Sequence, residues 1–230
     1  EDDAYRLVAY REDGDAWVRF AHDRVEEASY ALLPEGERPA LHAAIGRVLL
    51  ARGGEEDALF EVVGHFGRAE ALLDGPERER FAELALAAGR QAAGSGAFEL
   101  AWSFYESGLG ALGETGWDRR YELALDLASG AAETALFVGR REAMERRVDE
   151  VLARARTLED GVTAWSTRLR ARIADNRMLE AVEVSDQFLT RAGRPQPRTA
   201  SPPAILWSLA RTALAIGRRK PEDLLDLPEP

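Results

Sequence analysis

The chain has 230 residues, of which 46% are hydrophobic, so it can bury a core, and a disordered chain is excluded. Its formal net charge of -11, from 41 acidic and 30 basic residues, argues against a protein that binds nucleic-acid phosphates, and no apolar segment approaches the roughly 20 residues that cross a membrane. Because cysteine is absent, disulfides and thiolate metal sites are excluded, and we expect a cytoplasmic location.

The first predicted element is a small β-hairpin within Ala4–Ala21. Two short runs of alternating apolar and polar residues flank Asp13-Gly14, a dipeptide typical of hairpin turns. An isolated two-stranded hairpin is marginally stable in water. We therefore expect it either to pack on the following helix or to belong to a preceding domain, and we group the hairpin and that helix as residues 1–34.

The rest of the chain is predicted to be helical. Alanine and leucine are abundant and β-branched residues are sparse, and apolar residues recur every three or four positions between Gly, Pro and Asn stops. The predicted helices are His22–Leu33, Arg38–Ala51, Glu55–Leu73, Glu77–Gly94, Ala97–Leu112, Trp117–Phe137, Arg141–Leu158, Val162–Asp175, Met178–Ala192 and Ala204–Ile216. Three tryptophans in these helices are predicted to lie in the core: Trp102, Trp165 and Trp207.

These helices are predicted to pair into hairpins. The clearest hairpin is Glu83–Gly110, which turns at Gly96 and carries small residues at four-residue spacing on its first helix, among them Gly89. Later turns are predicted at Gly139, Asn176 and Gly217. The turns recur about every 40 residues, which is typical of an array of helical repeats.

The segment Gly96–Ala101 resembles the tetratricopeptide repeat, whose second helix carries Gly-x-aromatic-x-x-Ala. Phe98 and Ala101 occupy the aromatic and small positions, and Gly89 occupies the small position of the first helix. The resemblance implies an all-α fold, an α-solenoid of tetratricopeptide-like hairpins over residues 35–230 that is cut at its C-terminal end. The β-hairpin would then be a small N-terminal addition.

A second resemblance concerns the start of the chain. Trp17–Val25, with Tyr30 and Leu33–Glu35, resembles the F-x-H-D-R-V-x-x-A-x-Y helix of STAND-type ATPases (signal-transduction ATPases with numerous domains), large bacterial proteins that include kinases, cyclases and transcriptional regulators. In that family this helix closes a winged-helix unit, and a tetratricopeptide-like array follows. Glu56–Phe66 and Lys220–Pro228 also resemble that array. The nucleotide-binding GxxxxGK[ST] motif is absent, so the resemblance implies a regulatory region without its ATPase domain.

In tetratricopeptide arrays the first helix of each hairpin lines the concave surface, which binds partners. Counting back from the turns, the resemblance implies that this surface carries Glu83, Arg90, Asp126, Glu133, Arg170 and Arg211. The register of the third repeat is less well defined, because Leu169 falls where a small residue is expected. The mixed signs of these charges favour a protein or peptide partner over nucleic acid.

No residue pattern indicates catalysis, a cofactor or a metal. His22 and Asp23 are adjacent, so on a helix they point in different directions, and they are interpreted as a helix start. His42 and His65 lie in separate predicted helices without metal-ligand spacing, and His65 is interpreted as a partly buried packing residue. The GxSxG and GxGxxG motifs are absent.

We therefore expect a non-catalytic regulatory module of a signalling ATPase. It would bind a protein, a peptide or an effector, including other domains of its own parent chain, and control the neighbouring ATPase or output domain. One alternative is a constitutive scaffold that binds a partner without switching. Another is a small all-helical enzyme, which would need clustered titratable residues in a closed pocket.

Overall fold

The computed structural model describes residues 7–12, 15–20, 23–52, 58–195 and 202–216. The chain divides into two compact units, Glu1–Asn176 and Arg177–Pro230. In the described ranges no helix combines the length and the apolar character that a membrane span requires.

The first unit begins with two antiparallel strands, β1 (Leu7–Glu12) and β2 (Asp15–Phe20). Leu7 lies opposite Phe20, and the register runs without interruption to the pair of Glu12 and Asp15. β2 contacts the helix that follows, α1 (Asp23–Leu32). The predicted turn at Asp13-Gly14 lies outside the described residues.

The remaining described elements are helical, as the composition predicts. The first unit continues with α2 (Arg38–Ala51), α3 (Leu59–Arg68), α4 (Gly75–Gly94), α5 (Phe98–Leu112), α6 (Gly116–Arg119), α7 (Tyr121–Phe137), α8 (Arg141–Arg154) and α9 (Val162–Ala174), with short 3₁₀ helices at Glu70–Leu72 and Glu159–Gly161. The second unit contains α10 (Met178–Arg191) and α11 (Pro202–Ile216). The prediction of a mainly helical fold is therefore confirmed for the described residues.

Three predicted turns between helices have the backbone conformation that their residues favour. Gly96 and Gly139 have φ of 80° and 75°, and Asn176 has φ of 57°. Glycine has no Cβ to clash in this left-handed region, and asparagine tolerates it better than most residues do. The predicted turns at these positions are confirmed, and the turn predicted at Gly217 lies outside the described residues.

The core of the first unit lies between successive helices. α4 packs on α5, α5 on α7, and α7 on α8, while α7 also contacts α4 and α9 directly. Its largest fully buried side chains include Phe66, Phe81, Leu127 and Met144. At about 25 cal/mol per Å² of apolar surface, burial of this kind is the main force that holds the helices together.

Glycines allow α4, α5 and α7 to approach closely around Tyr105 of α5. A Cβ atom on Gly89 of α4 would lie 2.3 Å from Tyr105 Cε1, and one on Gly130 of α7 would lie 2.7 Å from Tyr105 Cζ. Both distances are shorter than any normal carbon–carbon contact, so the ring fits between the helices only because these residues lack side chains.

Two predicted helices break or end earlier than expected, the first at a tertiary contact and the second at a local one. The predicted helix Trp117–Phe137 is interrupted at Arg120, which has φ -133° and ψ 54° while its guanidinium reaches Glu79 and Glu83 of α4. The predicted helix Arg141–Leu158 ends at Arg154, because the Asp160 carboxylate accepts hydrogen bonds from the next turn.

The backbone N–H groups of Arg156 and Thr157 each donate to Asp160 Oδ2 at 3.0 Å. These bonds replace the helical ones that a continued α8 would make. The hydroxyl of Tyr121 also donates to Asp160, and the pKa of that carboxyl falls to about 2, mainly because of this bond.

Two further predictions need correction. The prediction that Trp207 lies in the core is wrong, since its side chain on α11 is 72% exposed, whereas Trp165 is buried. The predicted helix Glu55–Leu73 is interrupted, since α3 ends at Arg68 and a separate 3₁₀ helix covers Glu70–Leu72. Residues 53–57 lie outside the described ranges.

Replacement of Gly89 by alanine tests the close approach of these helices. We expect Gly89→Ala to lower the free energy of unfolding by about 1–3 kcal/mol, because the new methyl group overlaps the Tyr105 ring. Gly64→Ala is the matched control, since a Cβ at this helical glycine of α3 meets nothing within 4 Å. It should stabilise by about 0.5–1 kcal/mol through helix propensity. Urea unfolding measures both, and equal effects would contradict the steric explanation.

Candidate interaction site

Five of the predicted partner-binding residues lie on α4, α7 and α9, which the sequence predicts as the first helices of three hairpins. Glu83 and Arg90 belong to α4, Asp126 and Glu133 to α7, and Arg170 to α9, all at exposed or half-exposed positions. We call the surface that carries these five residues the first-helix face. The sixth residue, Arg211, is exposed on α11 in the second unit.

Ion pairs between neighbouring first helices connect four of these residues. Arg90 Nη2 lies 2.8 Å from Asp126 Oδ2, which links α4 to α7. Arg170 Nη1 lies 2.8 Å from Glu133 Oε1, which links α9 to α7. Arg90 is 61% exposed and Asp126 48%, so water screens this attraction and the pair adds little to stability.

Glu83 contacts more charged side chains than the other four residues of the first-helix face do. Arg80 lies 3.0 Å from its carboxylate, and Arg120 also donates to it while binding Glu79. The hydrogen bond from Arg120 is the main reason that the pKa of Glu83 falls below its usual value. The charge of Glu83 is thus already satisfied within the chain, which leaves it less available to a partner. Sequence reasoning missed Arg120, since only the break before α7 aims it at α4.

Tyr105 is a component of this site that sequence reasoning assigned only to a helix face. Its ring is 4% exposed and lies between α4 and α7, and burial is the main cause that raises the pKa of its hydroxyl. The charges of Arg90, Glu133 and Asp126 also act on the pKa of that hydroxyl. The phenol therefore packs against Gly89 and Gly130, on the two helices that the ion pair of Arg90 and Asp126 connects.

The chemistry of this face suits recognition. It presents three acids and two arginines and no nucleophile beside a base. Exposed ion pairs can exchange one partner for another at little cost, so a bound polypeptide can replace an intramolecular carboxylate or guanidinium by its own. In the described part of the chain, no group of three or more His, Cys, Asp or Glu side chains could hold a metal ion.

A second polar cluster joins α1, α2 and α3. His42 Nδ1 lies 2.8 Å from His65 Nδ1, and His42 Nε2 lies 3.0 Å from the Tyr30 hydroxyl. Burial is the main cause that lowers the pKa of both histidines, and the positive charge of Arg68 lowers them further. The sequence gives no sign of this cluster, because its members are far apart along the chain.

No family model matches the chain, and no solved structure matches it. The hybrid signal transduction histidine kinase G of Dictyostelium discoideum is 23% identical to it over 202 residues. That alignment covers 76% of this chain but 6% of the Dictyostelium protein, so the chain spans a small fraction of the length of this relative.

A double-mutant cycle on Arg90 and Asp126 tests the low cost of exchanging these ion pairs. We expect Arg90→Gln, Asp126→Asn and the double variant to give a coupling energy below about 1 kcal/mol in urea unfolding, because both side chains are exposed. A coupling above about 2 kcal/mol would show that the pair is part of the folded framework and not available to a partner.

The histidine cluster predicts how stability depends on pH. The folded state holds the pKa of His42 and His65 below the unfolded value of about 6.5, so the unfolded chain binds more protons in the interval between these values. The free energy of unfolding is therefore highest above pH 6.5, where both histidines are neutral in either state. It decreases as pH falls toward the pKa values of the folded state. Urea unfolding between pH 7.5 and 5.5 should show this loss, and His65→Gln should show a smaller one. An equal pH dependence in both proteins would contradict this origin.

Proposed function

We propose that this chain is a non-catalytic regulatory module that binds a protein or peptide through its first-helix face. The observation that carries the proposal is the pairing of exposed acids and arginines across α4, α7 and α9. Charge patterns of this kind discriminate between partners and guide association more than they add affinity. The module needs no cofactor and no metal.

The proposed architecture is an α-solenoid of tetratricopeptide-like hairpins over residues 35–230. The left-handed turns at Gly96, Gly139 and Asn176 support it, and so does the direct packing of α7 against α4 and α9, because stacked repeats place successive first helices side by side. In this proposal residues 1–34 are the end of a winged-helix-like unit.

The proposed setting is a large cytoplasmic signalling ATPase of the STAND type found in bacteria. The similarity to a signal transduction histidine kinase supports a signalling setting, although the chain corresponds to 6% of that protein. In this proposal the module binds other domains of its own parent chain and holds the ATPase or output domain inactive until a signal arrives. Its partner can act as a switch only if it binds one state of the parent better than the other.

Calorimetric titration against the remainder of the parent polypeptide, with and without ATP, tests this function. We expect binding that depends on the nucleotide and that weakens at least about tenfold when Arg90→Glu and Arg170→Glu reverse two charges of the first-helix face. The matched control is Arg146→Glu, which reverses an exposed arginine on α8 outside this face.

The other outcomes contradict parts of the proposal. Binding that is the same with and without ATP would favour a constitutive scaffold. Equal loss of binding in the Arg146→Glu control would show that the first-helix face is not the binding surface. Hydrolysis of ATP by this chain alone would contradict a non-catalytic role.

A further inference from the structure

A cavity of about 640 Å³ opens among α5, α6, α7 and α8, and none of the first-helix-face residues lines it. Its volume falls in the range of roughly 300–1,000 Å³ that is typical of sites for small organic molecules. Leu109, Leu112, Trp117 and Ala124 give the wall an apolar part, and Glu106, Arg147 and Glu150 give it a polar part.

The polar side chains of this wall are hydrogen-bonded to one another. Arg147 donates two hydrogen bonds to the Glu106 carboxylate, at 2.8 and 2.5 Å, and a third to Glu150 at 2.6 Å. Trp117 Nε1 donates to the other oxygen of Glu150 at 2.8 Å. Two carboxylates therefore share the Arg147 guanidinium, and Glu114 also lines the cavity, so this part of the wall has no guanidinium available to a bound anion.

Two further arginines lie beside this cavity. A smaller pocket of about 200 Å³ shares Trp117 and Arg154 with the large cavity and adds Tyr121, Arg156 and Asp118. Arg154 Cζ lies 5.7 Å from the Trp117 ring centroid, and Arg156 Cζ lies 3.7 Å from that of Tyr121. Both guanidinium groups are thus within cation–π distance of an aromatic ring, and Arg156 is the closer of the two.

These two arginines differ from many others in the helices of the first unit. Arg90, Arg147 and Arg168 each pair with a carboxylate, whereas no carboxylate in the described ranges forms an ion pair with Arg154 or Arg156. A guanidinium that lies over an aromatic ring without a carboxylate partner keeps N–H donors available, and such donors bind carboxylates and phosphates.

We propose that Arg154 and Arg156 bind the anionic group of a small organic molecule whose apolar body occupies the 640 Å³ cavity. The ligand class is a carboxylate or phosphate ester with one anionic end and an aromatic or aliphatic body. The shared guanidinium of Arg147 cannot serve a second anion, so a molecule with anionic groups at both ends is excluded. This site is separate from the first-helix face and does not depend on the proposed function.

Isothermal titration calorimetry on the whole chain tests this site with four probes. Phenyl phosphate and phenylacetate combine an aromatic body with an anion, phenethylamine pairs the same body with a cation, and inorganic phosphate has no body. We expect at least one of the two aromatic anions to bind, and to bind more tightly than both phenethylamine and inorganic phosphate. Which of the two binds better then distinguishes a phosphate ligand from a carboxylate ligand.

The variant Arg154→Gln/Arg156→Gln should weaken binding of the aromatic anion at least about tenfold, because both charged donors are lost. The matched control Arg146→Gln removes an exposed arginine of α8 outside the cavity and should change the affinity less than about twofold. The single variant Arg156→Gln, which leaves Arg154 on Trp117, should still show a loss if the double variant does not fold.

Three outcomes would overturn the proposal. These are failure of both aromatic anions to bind, tighter binding of phenethylamine, and an unchanged affinity in a folded Arg156→Gln variant. None of them affects the proposed regulatory role, because these titrations contain no partner polypeptide and no probe is directed at the first-helix face.

Discussion

The packing of α4, α5 and α7 depends on a phenol ring held between two glycines. A Cβ at Gly89 or at Gly130 would overlap the ring of Tyr105, so the three helices reach their separation only while both positions lack side chains. This contact sets where the first helices lie relative to one another. The ion pairs from Arg90 to Asp126 and from Arg170 to Glu133 can form because α7 lies directly beside α4 and α9.

Arginine has two different uses in this chain. On the first-helix face and between α8 and α9, guanidinium groups pair with carboxylates, as Arg168 does with Glu145 and Asp149. Beside the cavity, Arg154 and Arg156 lie over aromatic rings instead. The first arrangement satisfies charge within the molecule, and the second leaves hydrogen-bond donors facing solvent, which is why the two surfaces are assigned different kinds of ligand.

Local features of the sequence were enough to predict most helices and their turns. The periodic apolar residues and the stops at Gly96, Gly139 and Asn176 act within a few neighbours, and the structure places left-handed turns there. The predicted first-helix residues, apart from Arg211, also share one face, because they were counted from those turns. Their role in partner binding stays a prediction.

Features that depend on distant residues could not be predicted. The break at Arg120 needs the carboxylates of Glu79 and Glu83 in α4, which lie 41 and 37 residues earlier in the sequence. The contact of His42 with His65, like the cavity, joins segments that only the fold brings together. Trp207 was misassigned because helical periodicity cannot distinguish an apolar face that is covered from one that is exposed.

The indole of Trp117 lies between two opposite charges, which affects its fluorescence. Its indole is 5% exposed, donates a hydrogen bond to the Glu150 carboxylate, and carries the Arg154 guanidinium over its ring. A fixed negative charge near the pyrrole nitrogen and a positive charge over the ring act on the excited-state dipole of indole, so the emission of Trp117 depends on where both charges stand. Movement of Arg154 away from the ring would change that field, so we expect the emission of Trp117 to change with it.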